Sequence, residues 1–148
     1  VAGKRFGGVC CIISNKKKIG LMKVYSPILK QYLYSLVQGF CDKNETSSIA
    51  IKREILEETG IKVDKKNIKY LNKILPMHSL VKSKLAIYFT HLKNLDSSDF
   101  KLRQKELGTG KIYFFNLKQI KKMLEKPHTF DLISYAAISY FLIIKKNF

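Results

Sequence analysis

Apolar positions in this chain fall into short runs with strand character and a few longer stretches with helical spacing. Phe6 to Ile13 is apolar almost throughout, which predicts a strand buried on both faces. A Ser-Asn-Lys turn follows, and a second strand is expected at about Ile19 to Tyr25. Tyr32 to Val37 mixes aromatic and aliphatic residues and runs into Gly39, as a strand delivering a loop would. Ile68 to Leu75 and Ser83 to Leu92 predict two more strands, and Lys111 to Phe115, preceded by Gly108 and Gly110, a short last one. Helical spacing marks Thr46 to Thr59, the amphipathic Leu117 to Glu125, and a longer Thr129 to Lys146 with Asp131 favourable in its first turn. No repeat and no linker rich in Gly, Pro or Ser interrupts the pattern, and 148 residues suit one domain with a real core.

The first of these helices has the strongest local signals. It has good helix formers, no proline, a Thr-Ser-Ser start suited to capping, and Gly60 placed to end it. Ile49, Ile51, Ile55 and Leu56 predict apolar contacts on more than one side, so that the helix is wedged into a core with its acids facing a cleft. Glu54, Glu57 and Glu58 stand at i, i+3 and i+4 and project from one face. Three like charges so close repel one another unless a cation or an arginine compensates.

Charge makes this segment stand out further. Of the 11 Asp and Glu residues, five (Asp42, Glu45, Glu54, Glu57, Glu58) fall between Gly39 and Ile61. That segment carries −2, so the rest of the chain carries +19 to give the total of +17. A carboxylate cluster in a basic protein points to a divalent cation, and hard oxygen ligands suit Mg²⁺ or Mn²⁺. A solvated acidic helix face is the alternative, which the apolar positions on several sides of the helix disfavour.

The complete pattern is Gly39, five residues, Glu45, seven residues, then Arg53-Glu54-Ile55-Leu56-Glu57-Glu58-Thr59-Gly60-Ile61. It resembles the full signature of the Nudix hydrolases, with every fixed position filled and aliphatic Ile55 and Ile61 where bulky residues are wanted. The resemblance implies an α/β (α+β) fold, the Nudix αβα sandwich with a central mixed sheet and the box as loop and helix, spanning residues 1–148 as one domain. It implies a backbone carbonyl of Gly39 on metal, Glu54 and Glu58 as principal metal ligands, and Glu57 as a further ligand or activator of water. Arg53 would hold the carboxylates by a bidentate contact that lysine could not copy, and Glu45 would support the loop or the outer metal shell. The implied reaction is metal-assisted attack of water on a nucleoside diphosphate linked to another group.

Composition sets limits around this reading. Cys10, Cys11 and Cys41 are odd in number and lack metal-type spacing, and they predict buried, reduced thiols in a cytoplasmic protein. The tract from Leu132 to Ile144 contains serine and is too short to span a bilayer, so no membrane partner is expected, and no signal peptide is visible. Because the chain opens on Val1 rather than Met, a missing N-terminal piece is left open. Of 28 basic residues only Arg5, Arg53 and Arg103 are arginines. Nucleic-acid recognition favours arginine forks, so the lysine excess is read first as compositional bias and only second as a nucleic-acid surface. The same charge would still draw anionic substrates inward.

Outside the box the segment from Lys23 onward, with Pro76, the Ser83-Lys84-Leu85-Ala86-Ile87 strand and the Phe130 to Phe141 ending, resembles the ADP-ribose and ADP-sugar pyrophosphatases, including the ADP compounds hydrolase branch. Leu36-Val37-Gln38 stands where that branch often has Leu-Pro-Ala. The resemblance implies a small-molecule nucleoside diphosphate derivative as substrate, with ADP-ribose first, and a homodimer as one assembly. Nucleoside triphosphates, dinucleoside polyphosphates, capped RNA or a non-catalytic binding role are the alternatives. A second acid is expected at Glu106, ahead of Asp96, Asp99, Glu125 and Asp131, the last two being read as helix-end charges. His78 is a candidate phosphate contact. Tyr25, Tyr32, Tyr34 and Phe40 are candidates to stack a base, with core or strand pairing as the default for each.

Overall fold

The computed structural model of the protein describes residues 7–77, 79, 83–93 and 111–145. Its centre is β1 (Gly8–Asn15), whose apolar run makes it a strand buried on both faces. β1 runs parallel to β6 (Leu85–His91) along its whole length. Along its other edge two strands share it: β4 (Val37–Phe40) pairs with its first half, from Gly8↔Phe40 to Cys11↔Val37, and β2 (Lys18–Ser26) with its end, from Ile13↔Gly20 to Asn15↔Lys18. β3 (Gln31–Ser35) and β7 (Ile112–Asn116) both pair with β2, and β5 (Ile68–Ile74) pairs antiparallel with β6, giving one mixed seven-stranded sheet.

Alternation along β1 divides the core. Val9, Cys11 and Ile13 face α1 (Ser47–Thr59), where they meet Ala50, Ile51 and Ile55. Cys10 and Ile12 face the other side, which is covered by α2 (Leu117–Leu124) and α3 (Leu132–Ile144) through Ile120, Ile138 and Phe141. The sheet thus lies between helical layers, which is the expected αβα sandwich. Burial pushes the Cys10 thiol up to about 12 and the Cys11 thiol well above its ordinary value, so both stay neutral inside the sheet, whereas Cys41 is only half-buried. No helix among the described residues is long and apolar enough to cross a membrane.

Three sequence expectations need correction. The strand expected from Tyr32 to Val37 is two strands: the chain breaks at buried Leu36, and β3 stays with β2 while β4 moves to β1. Leu36 can leave the ladder because its N–H donates to the Ser134 hydroxyl at 2.8 Å. The helix expected from Thr129 begins at Leu132; Pro127–Thr129 forms a 3₁₀ turn, and Asp131 caps α3 from outside, accepting the Ser134 N–H at 3.0 Å. Finally, α1 is not wedged on several sides. Ile51 and Ile55 are buried, but Ile49 and Leu56 are 52% and 37% exposed, because only one face of the helix meets the sheet.

Candidate functional site

Helix α1 carries the acidic cluster, and its ends explain its placement. Thr46 has the extended backbone of an N-cap but makes no side-chain cap bond; its hydroxyl turns to the Ser48 hydroxyl at 3.3 Å. The helix start is tied to the sheet instead, by Ser47 and Tyr88 hydroxyls 2.6 Å apart. Gly60 ends it at φ 73°, a left-handed conformation costly for other residues, and donates its N–H to the Leu56 carbonyl at 2.8 Å.

Arg53 organises the charges. Its Nε and Nη2 donate to the two carboxylate oxygens of Glu45 at 3.0 and 2.9 Å, and Nη2 also donates to the Phe40 carbonyl at 2.9 Å. Its Nη1 donates to Glu54 at 2.8 Å and to Glu57 at 3.1 Å. Glu45 in turn accepts the Asp42 N–H at 2.9 Å, which folds the loop after β4 against the helix. These bonds, the Arg53 hydrogen bonds foremost, hold the Glu45 carboxyl below its ordinary range. The arginine expected to compensate the like charges is therefore Arg53 itself, and its bidentate partner is Glu45.

Glu58 stands apart from this network. It accepts the Gln38 N–H from β4 at 3.2 Å and lies in a half-buried position. Burial raises its carboxyl to about 7 against the pull of that N–H, and the charges of Glu54 and Glu57 add to the rise. At Gly39 an added Cβ would overlap the Glu54 carboxylate, so glycine lets the end of that side chain lie on the β4 backbone.

Where β3 and β4 part, the sheet leaves a cavity of about 390 Å³. Met22, Val24, Leu33, Phe40 and Ile133 make most of its wall, Gly39 and Glu58 stand at its acidic end, and Asp131 faces it from the start of α3. Asp131, which sequence reasoning assigned to a helix end, thus also lines the cavity. Its partner Ser134 carries the signal: the hydroxyl joins Asp131 Oδ2 at 2.6 Å to the Leu36 N–H, across 98 positions of sequence that no local pattern spans.

Structure brings together Gly39, Arg53, Glu54, Glu57 and Glu58. Glu106 and His78 lie outside the described residues. Tyr25 and Tyr32 form an edge-to-face cross-strand pair with centroids 5.2 Å apart, and Tyr34 packs on Phe115 and Phe130. Phe40 is the exposed aromatic that lines the cavity.

The donor set suits a hard divalent cation. Glu54, Glu57 and Glu58 each carry an oxygen that takes no hydrogen bond from the described residues, and such carboxylates are the ligands Mg²⁺ and Mn²⁺ prefer. Among the described residues no three His, Cys, Asp or Glu groups already close on one point. Arg53 draws Glu54 and Glu57 to itself, while Glu58 is turned to Gln38.

Comparison with known proteins agrees with this geometry. The NUDIX domain profile matches residues 4–134. A NAD-capped RNA hydrolase NudC of Photobacterium profundum is 35% identical over 63 residues, covering 43% of this chain and 23% of that protein. The NudC of Vibrio cholerae serotype O1 is 34% identical over 61 residues, covering 41% and 22%. The matched stretch thus spans under a quarter of the length of these relatives. Among solved structures, an ADP compounds hydrolase superposes with a TM-score of 0.73 at 18% identity, covering 94% of this chain and 72% of that one, which is a likeness of fold.

Proposed function

The chain belongs to the NUDIX domain family, and as a Nudix hydrolase, we propose, it cleaves the diphosphate of a nucleoside diphosphate linked to another moiety, ADP-ribose or a related ADP compound first. The observation that carries this reading is the carboxylate set of α1, in which Arg53 holds Glu54 and Glu57 while Glu58 lines a substrate-sized cavity. Water adds to one phosphorus, the bridging P–O bond breaks, and the products are AMP and a phosphorylated remainder.

Glu54, Glu57 and Glu58 would hold Mg²⁺ or Mn²⁺, with the Gly39 carbonyl as a further donor; the bound cation supplies charge neutralisation and a more acidic water. Arg53 fixes the orientation of Glu54 and Glu57 and anchors the loop through Glu45 and the Phe40 carbonyl. Glu57, the most exposed of the three, would take a proton from an incoming water. The apolar walls receive the organic part of the substrate, and Phe40 is the ring available for a base to stack on.

A second reading, cleavage at a nucleotide cap on RNA, is favoured by the names of the curated relatives, since NAD also contains an ADP diphosphate. One panel with Mg²⁺ separates the two: ADP-ribose, NAD-capped RNA, a dinucleoside polyphosphate and nucleoside triphosphates. AMP with ribose 5-phosphate is the expected result. Pyrophosphate released from triphosphates, with ADP-ribose left intact, overturns the first reading.

A further inference from the structure

The cavity between β3 and β4 has a one-sided hydrogen-bonding character. Its polar side chains are Ser35, Gln38, Glu58 and Asp131, and none of the described residues lining it is Lys, Arg or His. The Ser35 hydroxyl donates to the Leu36 carbonyl at 2.9 Å and so has no proton for a ligand. Gln38 directs its Nε2 donor to Ser35 at 3.2 Å, which leaves Oε1 shielded from solvent with no partner among the described residues. Both Asp131 oxygens accept from Ser134, yet a carboxylate oxygen takes two hydrogen bonds, so Asp131 keeps acceptor capacity towards the cavity. Among the described side chains the cavity wall therefore offers more acceptors than donors, the second Nε2 proton of Gln38 being a donor left over.

We propose that Asp131 is a specificity-determining residue that accepts a hydrogen bond from an uncharged, hydroxyl- or amino-bearing part of the substrate, with Gln38 as a second acceptor. The inference rests on the reading of this cleft as the substrate site. An orphaned amide oxygen is costly, and turning it towards a ligand donor breaks only the long bond to Ser35. A sugar hydroxyl or an exocyclic base amine matches such a wall. A phosphate or carboxylate entering the same space would meet Asp131 and Glu58 with no Lys, Arg or His among the described lining residues to balance it, which favours substrates whose charge is confined to the diphosphate.

Asp131→Asn tests this, because asparagine retains the capping acceptor for α3. Kinetics are measured for ADP-ribose, for analogues lacking one ribose hydroxyl, and for the hypoxanthine analogue that lacks the amine. Loss of one charge-assisted hydrogen bond should raise KM for ADP-ribose about tenfold, with a smaller change in kcat; the melting temperature should fall by a few degrees, because asparagine gives up the oxygen that accepts the Ser134 hydroxyl. In the wild type, a KM penalty for one deoxy analogue would assign the donor to the sugar, and a penalty for the hypoxanthine analogue would assign it to the base. The substitution should then add little for whichever analogue already lacks the donor. An Asp131→Asn KM within twofold of wild type for every substrate overturns the inference while leaving the hydrolase reading intact. A wild type that turns over none of these compounds overturns both. Should Asp131→Asn fail to fold, Gln38→Met serves as the second variant: loss of discrimination between ADP-ribose and the analogues supports the proposal, and retained discrimination counts against it.

Discussion

Arg53 grips Glu45 through two parallel hydrogen bonds, Nε to Oε1 at 3.0 Å and Nη2 to Oε2 at 2.9 Å. Lysine would keep the charge and lose the fork, together with the contacts to Glu54, Glu57 and the Phe40 carbonyl. Arg53→Lys should therefore lower stability by about 1–3 kcal/mol, a drop of several degrees in melting temperature, and reduce kcat/KM by at least about tenfold. Differential scanning calorimetry and steady-state kinetics would check both, and an unchanged kcat/KM would remove Arg53 from its orienting role.

Glu57→Gln and Glu58→Gln each remove one carboxylate while preserving size. Each should cut kcat by roughly 10²-fold or more, with circular dichroism unchanged. Full activity in both variants would overturn the site assignment.

Metal-free protein should show an inverted pH dependence at Glu58. Its carboxyl is raised from 4.5 to about 7, so the folded state binds more protons than the unfolded chain between those values. The Glu58 contribution is therefore present at pH 4–5 and is lost as pH rises through 7, a swing on the order of 2–3 kcal/mol. Carboxyls held low, such as Glu45, act in the opposite sense, so the comparison is with Glu58→Gln. The variant should gain melting temperature relative to wild type as pH is taken from 5 to 8; a difference that stays flat across that range would refute the assignment.

Gly39→Ala adds a single methyl where the Glu54 carboxylate lies. The clash falls on the movable end of the Glu54 side chain, so the methyl pushes Glu54 off the β4 backbone at little cost in stability. Turnover should fall far more than melting temperature does, and added Mg²⁺ should stabilise this variant less than the wild type in thermal-shift assays.

Local chemistry made much of this molecule legible in its sequence. Gly60 and the spacing of Glu54, Glu57 and Glu58 located α1 to within a residue, because helix termination and side-chain periodicity are local properties. The break at Leu36 was hidden, since nothing in Tyr32 to Val37 shows that a serine 98 positions away will accept the Leu36 N–H. The place of Asp131 was hidden for the same reason: a cap and a cavity wall look alike in sequence until the fold places Ser134 beside Leu36. Ile49 and Leu56 suggested a doubly packed helix, but hydropathy alone does not say how many layers cover a face.

The parallel pairing of β1 with β6 also has a consequence during synthesis. Ser14 and His91 are neighbours across that pair, 77 positions apart. A chain made from its N-terminus therefore releases the wholly apolar run Val9 to Ile13 well before the strand that covers it exists. At ordinary elongation rates the wait is roughly 4–15 s, during which β2 and β4 can take one edge of β1 while the edge that receives β6 stays open. The segment that centres the finished sheet thus keeps one edge open while much of the protein is being made.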